Sequence, residues 1–143
     1  MSLANLLFVD DETAFVEAMI KRLHIRDIEV TPAHSGAEAL QQLADKTNLE
    51  VVILDIKMPG MDGIDVLREI KTQFPLVEVI MLTGHATVES AIEGMKRGAF
   101  DYLMKPCDID VLVEKVTEAC ARKRQHEEKI MQARLKEITS RRA

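Results

Sequence analysis

Asn5-Leu6-Leu7-Phe8-Val9-Asp10-Asp11 is an apolar run that stops on two carboxylates, and Val51-Val52-Ile53-Leu54-Asp55 repeats the arrangement further along the chain. Uninterrupted apolar runs of this length suit strands buried on both faces of a parallel sheet. Further strand-like runs fall at about 27–31, 77–82 and 99–104. Between and after them, apolar residues space out at helical period: Phe15, Met19, Ile20 and Leu23; Ala37, Leu40, Leu43 and Ala44; Ile64, Val66, Leu67 and Ile70; Val88, Ala91, Ile92 and Met95; Ile109, Leu112, Val113, Val116 and Cys120.

Five βα units in succession predict an α/β fold, with a parallel sheet and right-handed crossovers placing helices on both faces. The second run, Ile28-Glu29-Val30-Thr31-Pro32, carries a charge and a proline and so suits a sheet edge. A strand order of 2-1-3-4-5 meets that condition and sets strands 1 and 3 side by side at the switch point, where ligands of open parallel sheets bind. Asp10, Asp11 and Asp55 then converge. Thr83, closing Val77-Glu78-Val79-Ile80-Met81-Leu82, and Lys105, following Ala99-Phe100-Asp101-Tyr102-Leu103-Met104, reach the same end of the sheet.

The 143 residues, 47% apolar and 3% aromatic, make one domain with an aliphatic core. No stretch has the roughly 20 apolar residues of a membrane span, and no signal peptide is evident, so a cytoplasmic protein is expected. Residues 1–120 hold 11 Lys/Arg against 21 Asp/Glu, whereas 121–143 hold 8 against 3. An acidic body argues against direct nucleic-acid binding by the domain. The basic tail reads as a charged helical extension or linker, and no glycine or proline interrupts it, so the last helix is expected to run on. Cys107 and Cys120 lack zinc spacing and read as reduced thiols, and the four histidines are scattered. His85 alone is of interest, for its position beside Thr83.

Carboxylates crowded together repel, and a divalent cation relieves them. Oxygen ligands suit Mg²⁺, with Mn²⁺ as an alternative. Lys105 brings a second cation, and an aspartate flanked by two cations is a site for a transferring phosphoryl group, with Asp55 as nucleophile. Gly60 and Gly63 fit a turn passing close by.

Taken together, Asp10-Asp11, Asp55-Ile56-Lys57-Met58-Pro59-Gly60-Met61-Asp62-Gly63, Leu82-Thr83-Gly84-His85-Ala86 and Gly98-Ala99-Phe100-Asp101-Tyr102-Leu103-Met104-Lys105-Pro106 resemble the receiver domain of bacterial two-component response regulators. The resemblance covers residues 4 to about 120 and implies a flavodoxin-like (βα)5 three-layer sandwich. It implies Asp55 as phosphoacceptor, a metal held by Asp11, Asp55 and the Lys57 backbone carbonyl, and Asp10 acting through a bound water. Thr83 and Lys105 would bind the phosphoryl oxygens, and the Lys105-Pro106 bond would be cis. Lys57 and His85 would tune the phosphate's lifetime. Tyr102 would turn inward on phosphorylation, remodelling the face of the fourth helix, fifth strand and fifth helix.

The implied partners are a sensor histidine kinase or phosphotransfer protein and a second copy of the chain in a phosphorylation-dependent homodimer. Such a domain is a signalling switch rather than a conventional enzyme, although it catalyses its own Mg²⁺-dependent phosphoryl transfer and slow autodephosphorylation. The stretch from Leu82 to Pro106 looks most like receivers joined to AAA+ transcription activators or helix-turn-helix regulators. Residues 121–143 would then lead towards an output domain controlling transcription, the alternative being a single-domain regulator that acts by protein contacts. A phosphatase of the haloacid dehalogenase type needs an acid where Lys57 stands, and an FMN binder would have to place phosphate against Asp10-Asp11-Glu12. A receiver-shaped scaffold that is never phosphorylated would have no use for the complete polar set.

Overall fold

The computed structural model describes residues 2–85 and 87–142; Ala86, within one of the quoted motifs, lies outside them. In chain order the elements are β1 (Ala4–Val9), α1 (Thr13–Ile25), β2 (Ile28–Ala33), α2 (Gly36–Asp45) and β3 (Val51–Leu54). A two-stranded ribbon of Lys57–Met58 and Met61–Asp62 follows, then α3 (Gly63–Gln73), β4 (Glu78–Thr83), α4 (Val88–Lys96), β5 (Asp101–Met104) and α5 (Ile109–Arg142).

The five long strands form one parallel sheet in the order β2-β1-β3-β4-β5, as expected. Successive side chains of a strand point to opposite faces, and the central strands are apolar on both. Leu7, Val9, Val52, Leu54, Val79 and Met81 pack with Ala39 and Leu43 of α2 and Val66, Leu67 and Ile70 of α3. Leu6, Phe8, Val51, Ile53, Ile80 and Leu82 pack on the other face with Val16, Met19 and Leu23 of α1 and Leu112, Val116 and Ala119 of α5. Burying each of these side chains that is of Val, Leu or Ile size contributes roughly 1.5–3 kcal/mol. Among the described residues β2 pairs only with β1; it keeps Glu29 in solvent and carries Pro32 opposite Phe8, which an edge strand tolerates.

Two of the expected helix faces differ. In α2 the buried side is Gly36, Ala39 and Leu43 with Leu40 at its margin, while Ala37 and Ala44 are exposed. Alanine at a helical spacing marks a good helix former as readily as a packed one. In α4, Val88, Ile92 and Met95 face outward, Val88 being 77% exposed, and Gly94 is the buried residue. Its missing side chain lets α4 approach Met81, Tyr102 and Ile64, each within 3.7–3.8 Å of where a Cβ would stand. The apolar period of α4 is real, but it points away from the sheet.

α5 runs for 34 residues, well past the sheet. Among the described residues, no helix is long and apolar enough to cross a membrane.

Candidate functional site

The sheet's register builds the site. The Asp10 amide donates to the Ala33 carbonyl at 3.0 Å and the Asp55 amide to the Val9 carbonyl at 3.1 Å, so both aspartates continue their ladders by one residue. Their carboxylates are buried, at 1% and 4% exposure, while Asp11 is exposed. One oxygen from each of the three lies within 4.8 Å of the others. Asp10 is fixed further by the Glu12 amide, which donates to its Oδ1 at 3.0 Å. An all-oxygen cluster of this size suits a hard divalent cation.

Lys105 closes the site from β5. Its amide donates to the Thr83 carbonyl at 2.9 Å and its bond to Pro106 is cis, as expected. The ammonium stands 2.7 Å from Asp10 Oδ2 and 3.6 Å from both Asp55 Oδ2 and Glu12 Oε1. It also lies 4.4 Å from the centre of the Phe15 ring, whose π face favours a cation.

The electrostatics follow from this crowding. Burial, reinforced by the Asp10 charge, pushes the Asp55 carboxyl above the usual aspartate range against the opposing pull of Lys105, the Thr83 hydroxyl and the Lys57 amide. For Lys105, burial works to discharge the ammonium, but the Asp10 hydrogen bond and the charges of Asp10, Asp55 and Glu12 together hold it above the ordinary lysine range. Asp55 is therefore a desolvated carboxylate beside a permanent cation, a nucleophile with little water to shed.

The loop after Asp55 passes close to the carboxylates. Exposed Lys57 directs its amide to Asp55 Oδ1 at 3.4 Å. Gly60, at φ +76°, makes the ribbon's turn. The Gly63 amide donates to the Ile56 carbonyl at 2.7 Å, and a Cβ on Gly63 would stand 2.5 Å from the Asp55 carbonyl oxygen and from Ile56 Cα. Only glycine permits that approach. Asp62 then caps α3, accepting from the Ile64 amide at 2.9 Å.

Thr83 is fully buried, and its Oγ accepts from the amide of exposed His85 at 3.1 Å. Tyr102, opposite Met81 in the β4–β5 ladder, is half-buried against α4, with its hydroxyl 2.9 Å from Ser90 Oγ. Ser90 also forms a reciprocal cap with Thr87 at the start of α4. Tyr102 thus ties β5 to the first turn of α4.

Asp10, Asp11, Asp55, Lys57 and Lys105 come together at this end of the sheet, with His85 bonded to Thr83 and Tyr102 set apart against α4. Sequence reasoning missed Glu12, Phe15 as the support under Lys105, Ser90, and His34, whose Nδ1 lies 3.1 Å from the Asp10 carbonyl. Glu12 was adjacent to the acidic pair and could have been found. Ser90 meets Tyr102 only through the packing of α4 on β5, which no local spacing records.

Residues 6–117 match the family profile described as the response regulator receiver domain. The DNA-binding transcriptional regulator NtrC of Escherichia coli K12 is 40% identical over 111 residues, which are 78% of this chain and 24% of that protein. The chain thus spans about a quarter of the length of that relative. A response regulator receiver domain protein from Clostridium thermocellum has a crystal structure that superposes with a TM-score of 0.81 at 40% identity, over 85% of this chain and 98% of that one. Another, a response regulator protein from Burkholderia pseudomallei solved with a phosphorylated aspartic acid, a calcium ion and citrate, gives 0.74 at 26% identity, over 87% and 72%.

Proposed function

This chain belongs to the response regulator receiver domain family, and on that premise we propose that it is a phosphorylation-activated switch in which Asp55 accepts a phosphoryl group from a histidine kinase or phosphotransfer protein. The observation that carries the reading is the placement of a buried, desolvated Asp55 between two further carboxylates and the Lys105 ammonium. The phosphorylated aspartic acid and calcium ion of the Burkholderia pseudomallei relative support it.

In this reading Asp55 attacks phosphorus in line as the phosphohistidine's P–N bond breaks, and the leaving imidazole keeps the electron pair. Asp11, Asp55 and the Lys57 carbonyl would hold Mg²⁺, with Asp10 behind a water; the donor set is hard oxygen, as that ion requires. The ion supplies charge neutralisation for the equatorial oxygens. Lys105 turns from Asp10 towards the new phosphoryl oxygens, and the Thr83 hydroxyl donates to another. Lys57 and His85 border the path of the water that later hydrolyses the acyl phosphate, and so tune its lifetime.

A hydrogen bond to a charged group contributes roughly 1.5–3 kcal/mol, whereas moving a population from 1:99 to 99:1 needs about 5.5 kcal/mol. Thr83 therefore works with Lys105 and with partner contacts. Movement of Thr83 draws Tyr102 inward, releases Ser90 and alters the α4, β5 and α5 surface on which a second copy docks. We further read residues 4–120 as the receiver and 121–143 as the start of a linker to an output domain governing transcription in the cytoplasm. NtrC's role as a DNA-binding transcriptional regulator supports that assignment.

The test uses beryllofluoride with Mg²⁺ as a phosphoryl mimic while backbone amide resonances are followed. The expected result is shifts at Thr83, Tyr102 and along α4. Shifts confined to the loop after Asp55 would show a site that binds the mimic without switching.

A further inference from the structure

Two buried acids lie far from the phosphoryl site and have no part in its chemistry. Glu50, 7% exposed, immediately precedes β3, and Glu78, 3% exposed, begins β4. They are adjacent, since the Glu78 amide donates to the Glu50 carbonyl at 3.2 Å. They stand at the opposite ends of the two strands that lead to Asp55 and Thr83.

Both are held by α5 beyond Cys120. Arg124 grips Glu50 with two hydrogen bonds, Nε to Oε2 at 2.8 Å and a terminal nitrogen to Oε1 at 3.1 Å, and also donates to the Leu3 carbonyl at 3.2 Å. The Asn5 amide adds a bond to Glu50 at 3.2 Å. Arg122 Nε lies 3.4 Å from Glu78 Oε2 and its guanidinium 5.7 Å from the Phe100 ring, while Lys71 of α3 takes the other Glu78 oxygen at 3.3 Å. Bidentate arginine–carboxylate pairs carry directional specificity as well as energy.

The rest of the extension has little else to hold it. From Ala121 to Lys129 there is no large apolar residue, and beyond Arg124 nearly every described side chain is exposed. Its one further contact with the body among the described residues is an apolar groove that Ile130 and Met131, with Glu127 and Arg134, line against Pro75 and Leu76. The extension continues a helix already nucleated by the packed residues up to Cys120, but propagation alone adds little stability per residue.

We propose that Glu50 and Glu78 form an anchoring site for the α5 extension: they hold residues 121–142 as a helix leaving the sheet in one fixed direction, so that the extension is a latched rod and not a loose tether. The latch is asymmetric. Neutralising an acid frees the helix while leaving the core filled, whereas removing Arg124 strands a buried carboxylate and weakens the domain itself. Any partner that must bend or swing the extension has to break these pairs first.

The test is amide hydrogen exchange on the full chain, without metal or phosphodonor, comparing the natural protein with Glu50→Gln/Glu78→Gln and with the exposed-site control Glu29→Gln. Amides from about 122 to 135 are expected to exchange roughly tenfold faster or more in the double variant, the loss of one charge-assisted hydrogen bond, with β3 and β4 still protected. Unchanged protection of 122–135 in that variant overturns the proposal, as does unfolded-like exchange of those amides in the natural protein. If the double variant also loses β3 and β4 protection, Arg122→Gln decides, because Lys71 still pairs with Glu78: faster exchange local to 120–128 supports the latch and no change refutes it. The measurement involves neither phosphorylation nor the metal, so its failure leaves the proposed function untouched.

Discussion

Lys105 Nζ is 2.7 Å from Asp10 but 3.6 Å from Asp55, so the site's cation is paired first with the acid that is not proposed to react. This geometry pairs the Asp10 carboxylate with the ammonium, while burial holds the Asp55 carboxyl above the usual aspartate range. Lys105→Ala leaves Asp10 buried without its partner, and breaking a pair of this kind costs about 3 kcal/mol, discounted slightly for the lysine's partial exposure. Asp10→Asn in the same chain is expected to return most of that loss. A double-mutant cycle from urea denaturation midpoints measures it, and additive single effects would contradict the pairing.

Asp55 governs the second expectation. Its folded-state pKa is raised, so relative to the unfolded chain it destabilises the fold wherever it must ionise. The folded protein binds its proton more tightly: the favourable contribution is complete below the unfolded aspartate pKa and is lost as pH rises through the higher folded value. Asp55→Asn should therefore raise Tm at neutral pH in metal-free buffer. The gain should vanish near pH 3. Thermal melts over pH 3–8 check this, and a gain independent of pH would point to packing rather than charge.

Gly63→Ala drives a methyl to 2.5 Å from backbone atoms of Asp55 and Ile56. No rotamer relieves a clash with backbone, so a loss at or above the usual 1–3 kcal/mol of overpacking is expected, together with displacement of the Asp55 loop. Chemical denaturation reads the first and the Lys57 amide resonance the second. Gly60→Ala should be milder: nothing lies within 4 Å of its Cβ position, and only the positive φ opposes it.

On α4, Ile92→Gln and Met95→Gln should each change stability by less than about 0.5 kcal/mol, since exposed substitutions rarely cost more. Gly94→Leu should cost far more, because Met81, Tyr102 and Ile64 surround it. The opposite ranking would restore the helix face suggested by apolar spacing alone.

The cysteines differ in access. Burial, with Glu50 beside it, pushes the Cys120 thiol up to about 11, and Cys107 is also raised by burial and Asp108 but is only partly buried. At neutral pH Cys107 should label slowly with a maleimide and Cys120 only after unfolding. Labelling of Cys120 at the Cys107 rate would mean that α5 opens locally at that point.

Much of this architecture was legible in residue order. Continuous apolar runs ending on Asp10 and Asp55 fixed both the parallel sheet and the location of its site, because two-sided burial and strand-end acids are local patterns. Glu29 and Pro32 marked the edge strand for the same reason. What escaped depends on packing at a distance. The orientation of α4 is set by Gly94 against Tyr102, and a period of apolar residues reveals a stripe without saying which side it faces. Glu50 and Glu78 stand out in no local pattern, since their arginine partners lie 74 and 44 residues along the chain on a helix whose length no local signal limited. Ser90 reads as a helix cap, which it is, and its bond to Tyr102 is tertiary.

The central claim is that Asp55 is the phosphoacceptor, and intact mass after incubation with Mg²⁺ and acetyl phosphate tests it most directly. The expected result is one phosphoryl adduct, labile to base, that is absent without Mg²⁺ and absent in Asp55→Ala. An adduct of unchanged yield in Asp55→Ala, or no adduct in the natural protein with Mg²⁺ binding established by calorimetry, would contradict it.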